Sequence, residues 1–135
     1  MKPEDLATGR FHVNEDRPDW ATWALNRLRE AVERLAAPPE AQTAWLRETA
    51  TYPSLDELAL EFDDAYQLLP QLVTRKVVSP RTADLLAALD SCLAKMSGPS
   101  NLSQWEPQAL SQGAWRELRD RAREAFATLP APATV

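Results

Sequence analysis

Prolines divide this chain into segments that each show helical periodicity, and this division constrains the fold more than any other feature. Pro38-Pro39, Pro53, Pro80 and Pro99 fall between runs whose apolar residues recur every three to four positions. A proline disfavours helix in the residue before it and fits the first turn of the helix after it. No strand-like alternation extends far enough to make a sheet. We therefore predict an all-α fold, an irregular bundle of five to six helices in a single domain.

Helix ends and domain limits follow from the same signals. The expected helices start between 16 and 19 and end before Pro38, then span 40–50, 54–69, 80–96 and 114–128, with helical turns after Pro70 and near 107–110. Residues 1–15 are expected to be a loosely ordered leader, 16–129 the helical domain and 130–135 a flexible tail. We expect Trp20 and Trp115 in the core, and Trp45 and Trp105 at helix junctions.

The sequence also predicts which residues of the second and last helices are buried or exposed. The second is expected to pack through Ala41, Ala44, Trp45 and Leu46. In the last helix, the four arginines between 116 and 123 are interleaved with acids and are interpreted as ordinary salt-bridging surface positions.

Composition excludes several classes of function. The formal net charge is −5, so the surface should repel phosphate backbones, and direct nucleic-acid binding is not expected. No apolar run approaches the roughly 20 residues of a membrane span, and the N-terminus lacks the order of a signal peptide. The single cysteine, Cys92, can form no intrachain disulfide, which fits a reducing cytoplasm. We therefore predict a cytoplasmic protein without membrane contact.

Motifs for catalysis, cofactors and metals are missing from the sequence. The chain has one histidine, His12, and one cysteine, with no zinc-binding spacing and no glycine-rich phosphate loop. Cys92 shares an apolar face with leucines and is expected to be a buried structural thiol. The prediction is a protein that is not an enzyme and that has no catalytic residues, cofactor or metal ligands.

The segment from Ser54 to Tyr66 carries the main functional candidate. Ser54 and Glu57 predict a capping box at its start. Five acids point away from the expected core, with Leu60 nearly opposite that core: Asp56, Glu57, Glu61, Asp63 and Asp64. No Lys or Arg occurs between Glu48 and Thr74, so pairing with bases four residues away is impossible within this helix. An uncompensated acidic face around an outward leucine predicts a docking site for a basic partner.

The acids, Leu60 and Trp23 also have simpler structural interpretations. The acids could form a solvated face that keeps the protein soluble, and Leu60 could be exposed alone or pack under the loop at 75–79. Trp23 lies off the centre of its helix's apolar arc, so it is either a rim residue of the fold or an interface anchor.

The run from Leu55 to Asp64, the Met96-Ser97-Gly98 turn and the Trp105 and Trp115 segments together resemble small helical bacterial immunity proteins. The resemblance covers roughly residues 52–129. Some of the proteins that the chain resembles belong to polymorphic or contact-dependent growth inhibition toxin systems. The resemblance implies an immunity factor that binds and neutralises a cognate toxin, often a nuclease.

The sequence therefore supports two functional hypotheses. The first is an acidic inhibitor, monomeric when free, that binds a basic toxin through Asp56, Glu57, Leu60, Glu61, Asp63, Asp64 and Trp23. The alternative is a non-catalytic structural module that oligomerises through Leu60 and Trp23.

Overall fold

The computed structural model describes residues 19–49 and 54–131, and these ranges contain six α-helices, two 3-10 helices and no strand. The helices are α1 (Trp20–Ala36), α2 (Pro39–Thr49), α3 (Asp56–Tyr66), α4 (Leu69–Thr74), α5 (Pro80–Lys95), η1 (Pro99–Trp105), η2 (Pro107–Ser111) and α6 (Gly113–Thr128). The all-α helical bundle is confirmed. The expected leader at 1–15 and positions 132–135 of the expected tail lie outside the described residues.

Helix α1 is the central element of the core. Its apolar residues recur at helical spacing, and Trp20, Leu28 and Leu35 are all buried. It packs most extensively against α6 and α3, while α5 packs on α6. Trp20 and Trp115 lie in the core as predicted. No helix in the described ranges combines the length and apolarity needed to span a membrane.

The α3–α4 segment runs antiparallel to α1. Glu61 in α3 contacts Arg34 near the end of α1, and the Arg75 guanidinium after α4 lies 4.7 Å from the ring centroid of Trp20 at the start of α1. Leu58 and Phe62 on the inner side of α3 are fully buried. The opposite side of α3 is left at the surface.

The C-terminal end of α1 is capped by side chains from two other helices. The last carbonyls of a helix have no partners within it and carry partial negative charge. Gln42 of α2 donates to the carbonyls of Arg34 and Leu35, both at 3.1 Å. The next two carbonyls accept from arginines of α6: that of Ala36 from Arg123 and that of Ala37 from Arg119, both at 3.0 Å. All four carbonyl groups at this end are therefore satisfied.

This cap overturns two expectations from the sequence. Arg119 is not a surface residue: it is only 6% exposed, and it also donates to Gln42 Oε1 at 3.2 Å and to the Leu110 carbonyl at 2.8 Å. In α2, Ala41 and Ala44 are exposed, and Gln42 is buried with Leu46. A polar side chain that satisfies helix carbonyls can occupy the buried position without the usual desolvation cost.

The start of α5 and both ends of α4 are set by residues close to them in sequence. Ser79 caps α5 by accepting the Thr82 N–H at 3.1 Å, as expected for a Ser-Pro start. Pro70 occupies the first turn of α4, where it is tolerated. After α4, the N–H groups of Lys76 and Val77 donate to the carbonyls of Val73 and Leu72, both at 2.9 Å. This is a Schellman-type end, but with Lys76 at φ 61°, where glycine is usual.

The α5–α6 connection contains a helix that the sequence analysis did not predict. Helix α5 ends at Lys95 with Met96 as its C-cap, and Gly98, at φ 106°, is the residue from which η1 starts. The indole N–H of Trp105 donates to the Met96 carbonyl at 2.8 Å, and its ring packs edge-on against Trp115 with centroids 5.5 Å apart. Trp105 therefore seals this junction, as predicted, and fixes η1 to the end of α5 and to α6.

Candidate functional site

The candidate site is centred on Leu60, on the outer side of α3. Leu60 is 53% exposed, which answers the question that the sequence left open. Its four neighbours on the helix surface are the residues three and four positions away on each side. These are Asp56, Glu57, Asp63 and Asp64, and all four are exposed. We call Leu60 with these four carboxylates the acid ring.

Glu61 does not belong to this ring. Its Oε1 lies 3.1 Å from Nε of Arg34, and both side chains are partly buried. The guanidinium of Arg34 also lies 4.4 Å from the ring centroid of Trp45. The predicted uncompensated face is therefore wrong at Glu61, because a base from α1, 27 residues away in sequence, reaches across to it.

The ring carboxylates themselves keep their charge exposed. Among the described residues, no ion pair involves any of the four acids. Asp63 accepts one weak hydrogen bond from Gln67 Nε2, at 3.4 Å. The start of the helix is capped differently from the predicted capping box, because Ser54 Oγ accepts from the Asp56 N–H at 3.2 Å while the Glu57 N–H donates to the Ser54 carbonyl. The Glu57 side chain is exposed to solvent.

A groove of about 460 Å³ opens beside the acid ring. It is lined by Asp56, Ala59, Leu60, Ser97, Gly98, Leu102 and Trp105. Leu102 is 70% exposed, the most exposed large apolar side chain among the described residues. The groove could not be predicted from the sequence, because its second wall is the unpredicted helix η1. The only sequence signal for η1 is Gly98-Pro99, a pair that fits the end of the preceding helix equally well.

Trp23 lies apart from the acid ring. It is 39% exposed, and the guanidinium of Arg27 lies 5.6 Å from its ring centroid. Trp23 and Arg34 are eleven positions apart on α1, which is about 16 Å along the helix at 1.5 Å per residue. Arg34 is the residue that contacts Glu61, the neighbour of Leu60 in sequence. The structure therefore does not bring Trp23 together with Leu60.

Other reactive groups do not gather into a site. Cys92 is half-buried rather than fully buried; burial raises the pKa of its thiol, and the negative charge of Glu117 raises it further. A thiol held in its neutral form is a poor nucleophile. In residues 19–49 and 54–131, no group of three His, Cys, Asp or Glu side chains is placed to hold a metal ion.

Comparisons with protein-family models, curated proteins and solved structures gave no match to this chain.

Proposed function

We propose that this protein is a cytoplasmic, immunity-type inhibitor that binds a basic toxin, such as a nuclease, through the acid ring on α3. The observation that carries the proposal is the arrangement of four exposed carboxylates around a half-exposed leucine, none of them paired with a base in the part of the chain that the structure describes. Such a surface is suited to binding another protein rather than to catalysis.

The ring combines the two contributions that tight protein complexes use. Asp56 and Asp64 are about 12 Å apart along the helix at 1.5 Å per residue, so the four charges act together over a distance comparable with the ~8 Å screening length at physiological salt. Such a field accelerates the encounter with a cationic surface. Leu60 in the middle provides an apolar anchor from which the surrounding contacts exclude water.

A nuclease is a fitting target for this surface. Its active site must hold phosphates with basic side chains, and a ring of carboxylates presents the same charge as the substrate. The ring also stands on a rigid support, because Leu58 and Phe62 on the other side of α3 are fully buried. Little ordering entropy is then lost when the partner binds.

Self-association through the same face is the alternative, favoured by the exposure of Leu60 and Leu102. A two-fold dimer brings the same patch of both copies together. Here that geometry would oppose one acid ring to another, at a substantial electrostatic cost. The inhibitor function therefore fits the charge pattern better, and we expect size-exclusion chromatography to show a monomer.

The test is capture from the native host with three forms of the protein. The first is the wild type, the second is Glu57→Lys/Asp64→Lys, and the third is a control, Glu33→Lys/Asp84→Lys, with the same change in net charge. Glu33 and Asp84 are exposed and lie on α1 and α5. Wild type and control should capture the same basic protein, the ring variant should not, and co-expression with wild type should suppress that protein's toxicity. Equal capture by all three forms would refute binding through the ring.

A further inference from the structure

The groove between α3 and η1 indicates what the partner presents, and this inference rests on the proposed function. We propose that the groove receives a segment of the toxin in which one or two large apolar side chains lie between lysines or arginines. The acid ring would bind the bases, and the groove would take the apolar side chains. The contact surface thus extends from α3 onto η1.

The groove is built to take apolar groups. Leu60, Leu102, Ala59 and Trp105 provide most of its lining. The indole N–H of Trp105 is already committed to the Met96 carbonyl, so the ring offers the groove an apolar face without a spare donor. A volume of about 460 Å³ lies within the ~300–1,000 Å³ of typical ligand pockets.

Leu102 stands on an anchored turn. Its neighbour Asn101 donates through Nδ2 to the carbonyls of Lys95 and Ser97, at 3.2 and 3.1 Å. Trp105 fixes the other end of η1 by its hydrogen bond and its packing against Trp115. A leucine that is 70% exposed on a segment held at both ends is pre-positioned for an apolar contact.

The negative charge beside the groove determines which apolar segments of a partner can bind. The lining includes one carboxylate, that of Asp56, and no base. Asp63 lies two helical turns further along the same side of α3, about 10 Å away at 1.5 Å per residue. Bases on both sides of an apolar anchor match this spacing, whereas an acidic apolar segment would be repelled.

Two fluorescein-labelled peptides serve as probes, Lys-Lys-Phe-Leu-Lys-Lys and Lys-Lys-Ser-Ser-Lys-Lys, with binding measured by anisotropy. We expect the first to bind the wild type at least fivefold more tightly than the second. Leu102→Ser should remove this preference and leave the serine peptide unaffected. Because Leu102 is so exposed, this variant should fold normally, and circular dichroism checks that it does. Trp23→Ser is the control and should keep the preference, because Trp23 lies on α1, about 16 Å along that helix from Arg34, and does not line the groove.

The outcomes separate the two proposals. If Leu102→Ser keeps the preference while Glu57→Lys/Asp64→Lys abolishes binding of both peptides, the groove inference is overturned and the acid ring stands. If the ring variant also binds as the wild type does, both proposals fail. Loss of the preference in Trp23→Ser would move the apolar contact to α1 and overturn the groove inference.

Discussion

Replacing Arg119 with methionine should destabilise this protein more than any other single change of an arginine on α6. The guanidinium is buried and donates to three oxygens, on Ala37, Gln42 and Leu110, at 3.0, 3.2 and 2.8 Å. Burial lowers the pKa of Arg119, and the positive charge of Arg123 lowers it further. The three acceptors and the negative end of the α1 dipole hold this charge in the interior.

The size of the effect follows from those contacts. A hydrogen bond to a charged group contributes about 1.5–3 kcal/mol, and methionine would leave three acceptors unsatisfied. Removing the buried charge also removes its desolvation penalty, which offsets part of the loss. The expected decrease in the free energy of unfolding is about 3–4 kcal/mol, a large part of the ~5–15 kcal/mol typical of a domain.

Urea denaturation followed by circular dichroism at 222 nm measures this value. Arg116→Met is the matched control: Arg116 is exposed on the same helix and makes one 3.4 Å hydrogen bond, so it should lose less than about 0.5 kcal/mol. In a double-mutant cycle, Gln42→Leu and Arg119→Met should couple by about 1 kcal/mol or more, because they share one network. A loss below about 1 kcal/mol for Arg119→Met would refute the capping role.

Three further predictions concern single positions. Lys76→Gly should raise the free energy of unfolding by about 0.5–1 kcal/mol, because a side chain at φ 61° is strained and glycine is not. The Cys92 thiol should react with Ellman's reagent along a pH profile whose midpoint lies above that of the unfolded protein, because burial raises its pKa in the folded state. The contribution of the neutral Cys92 thiol to the free energy of unfolding is therefore complete at pH values below the pKa of the unfolded state. It is lost as the pH rises through the pKa of the folded state. Glu61→Gln should cost about 0.5–1 kcal/mol through loss of the pair with Arg34, and it should leave capture of the partner unchanged.

Each of these has its own control. Lys76→Ala keeps a Cβ at the strained position and should match the wild type, so equal gains from alanine and glycine would contradict the strain argument. For Cys92, unfolding in urea should lower the midpoint of the pH profile; a native midpoint equal to or below that of the unfolded protein would contradict the effect of burial. If Glu61→Gln abolished capture, Glu61 would belong to the interface after all.

Periodicity within single helices could be predicted from the sequence, and it defined most of the core. Trp20 is buried as predicted, and the apolar residues that share its side of α1 at helical spacing, Leu28 and Leu35, are buried with it. In α3, Leu58 and Phe62 are buried four positions apart in the same way. These predictions succeeded because a helix's buried face is set by residues three and four positions apart, which one sequence displays directly.

The failures at Arg119, Glu61 and the groove involve contacts between distant segments. Arg119 looked like a surface base because its acceptor Gln42 is 77 residues away, and Glu61 looked unpaired because Arg34 lies in another helix. The exposure of Leu60 depended on whether any other segment covers α3, which its own sequence cannot specify. The groove required the position of η1, which is fixed by Trp105 and its tertiary contacts.

The rate of association with the captured partner tests the central claim most directly. It should be measured by stopped flow at 20 and 200 mM salt for three proteins: the wild type, a neutralised ring (Asp56→Asn, Glu57→Gln, Asp63→Asn and Asp64→Asn) and a control. The control neutralises four exposed acids outside the ring and so has the same net charge: Glu30→Gln, Glu33→Gln, Asp84→Asn and Glu124→Gln. At low salt the neutralised ring should associate about tenfold or more slowly than the wild type. It should also lose most of the salt dependence that the wild type and the control retain. Equal rates and equal salt dependence in all three proteins would contradict recognition through the acid ring.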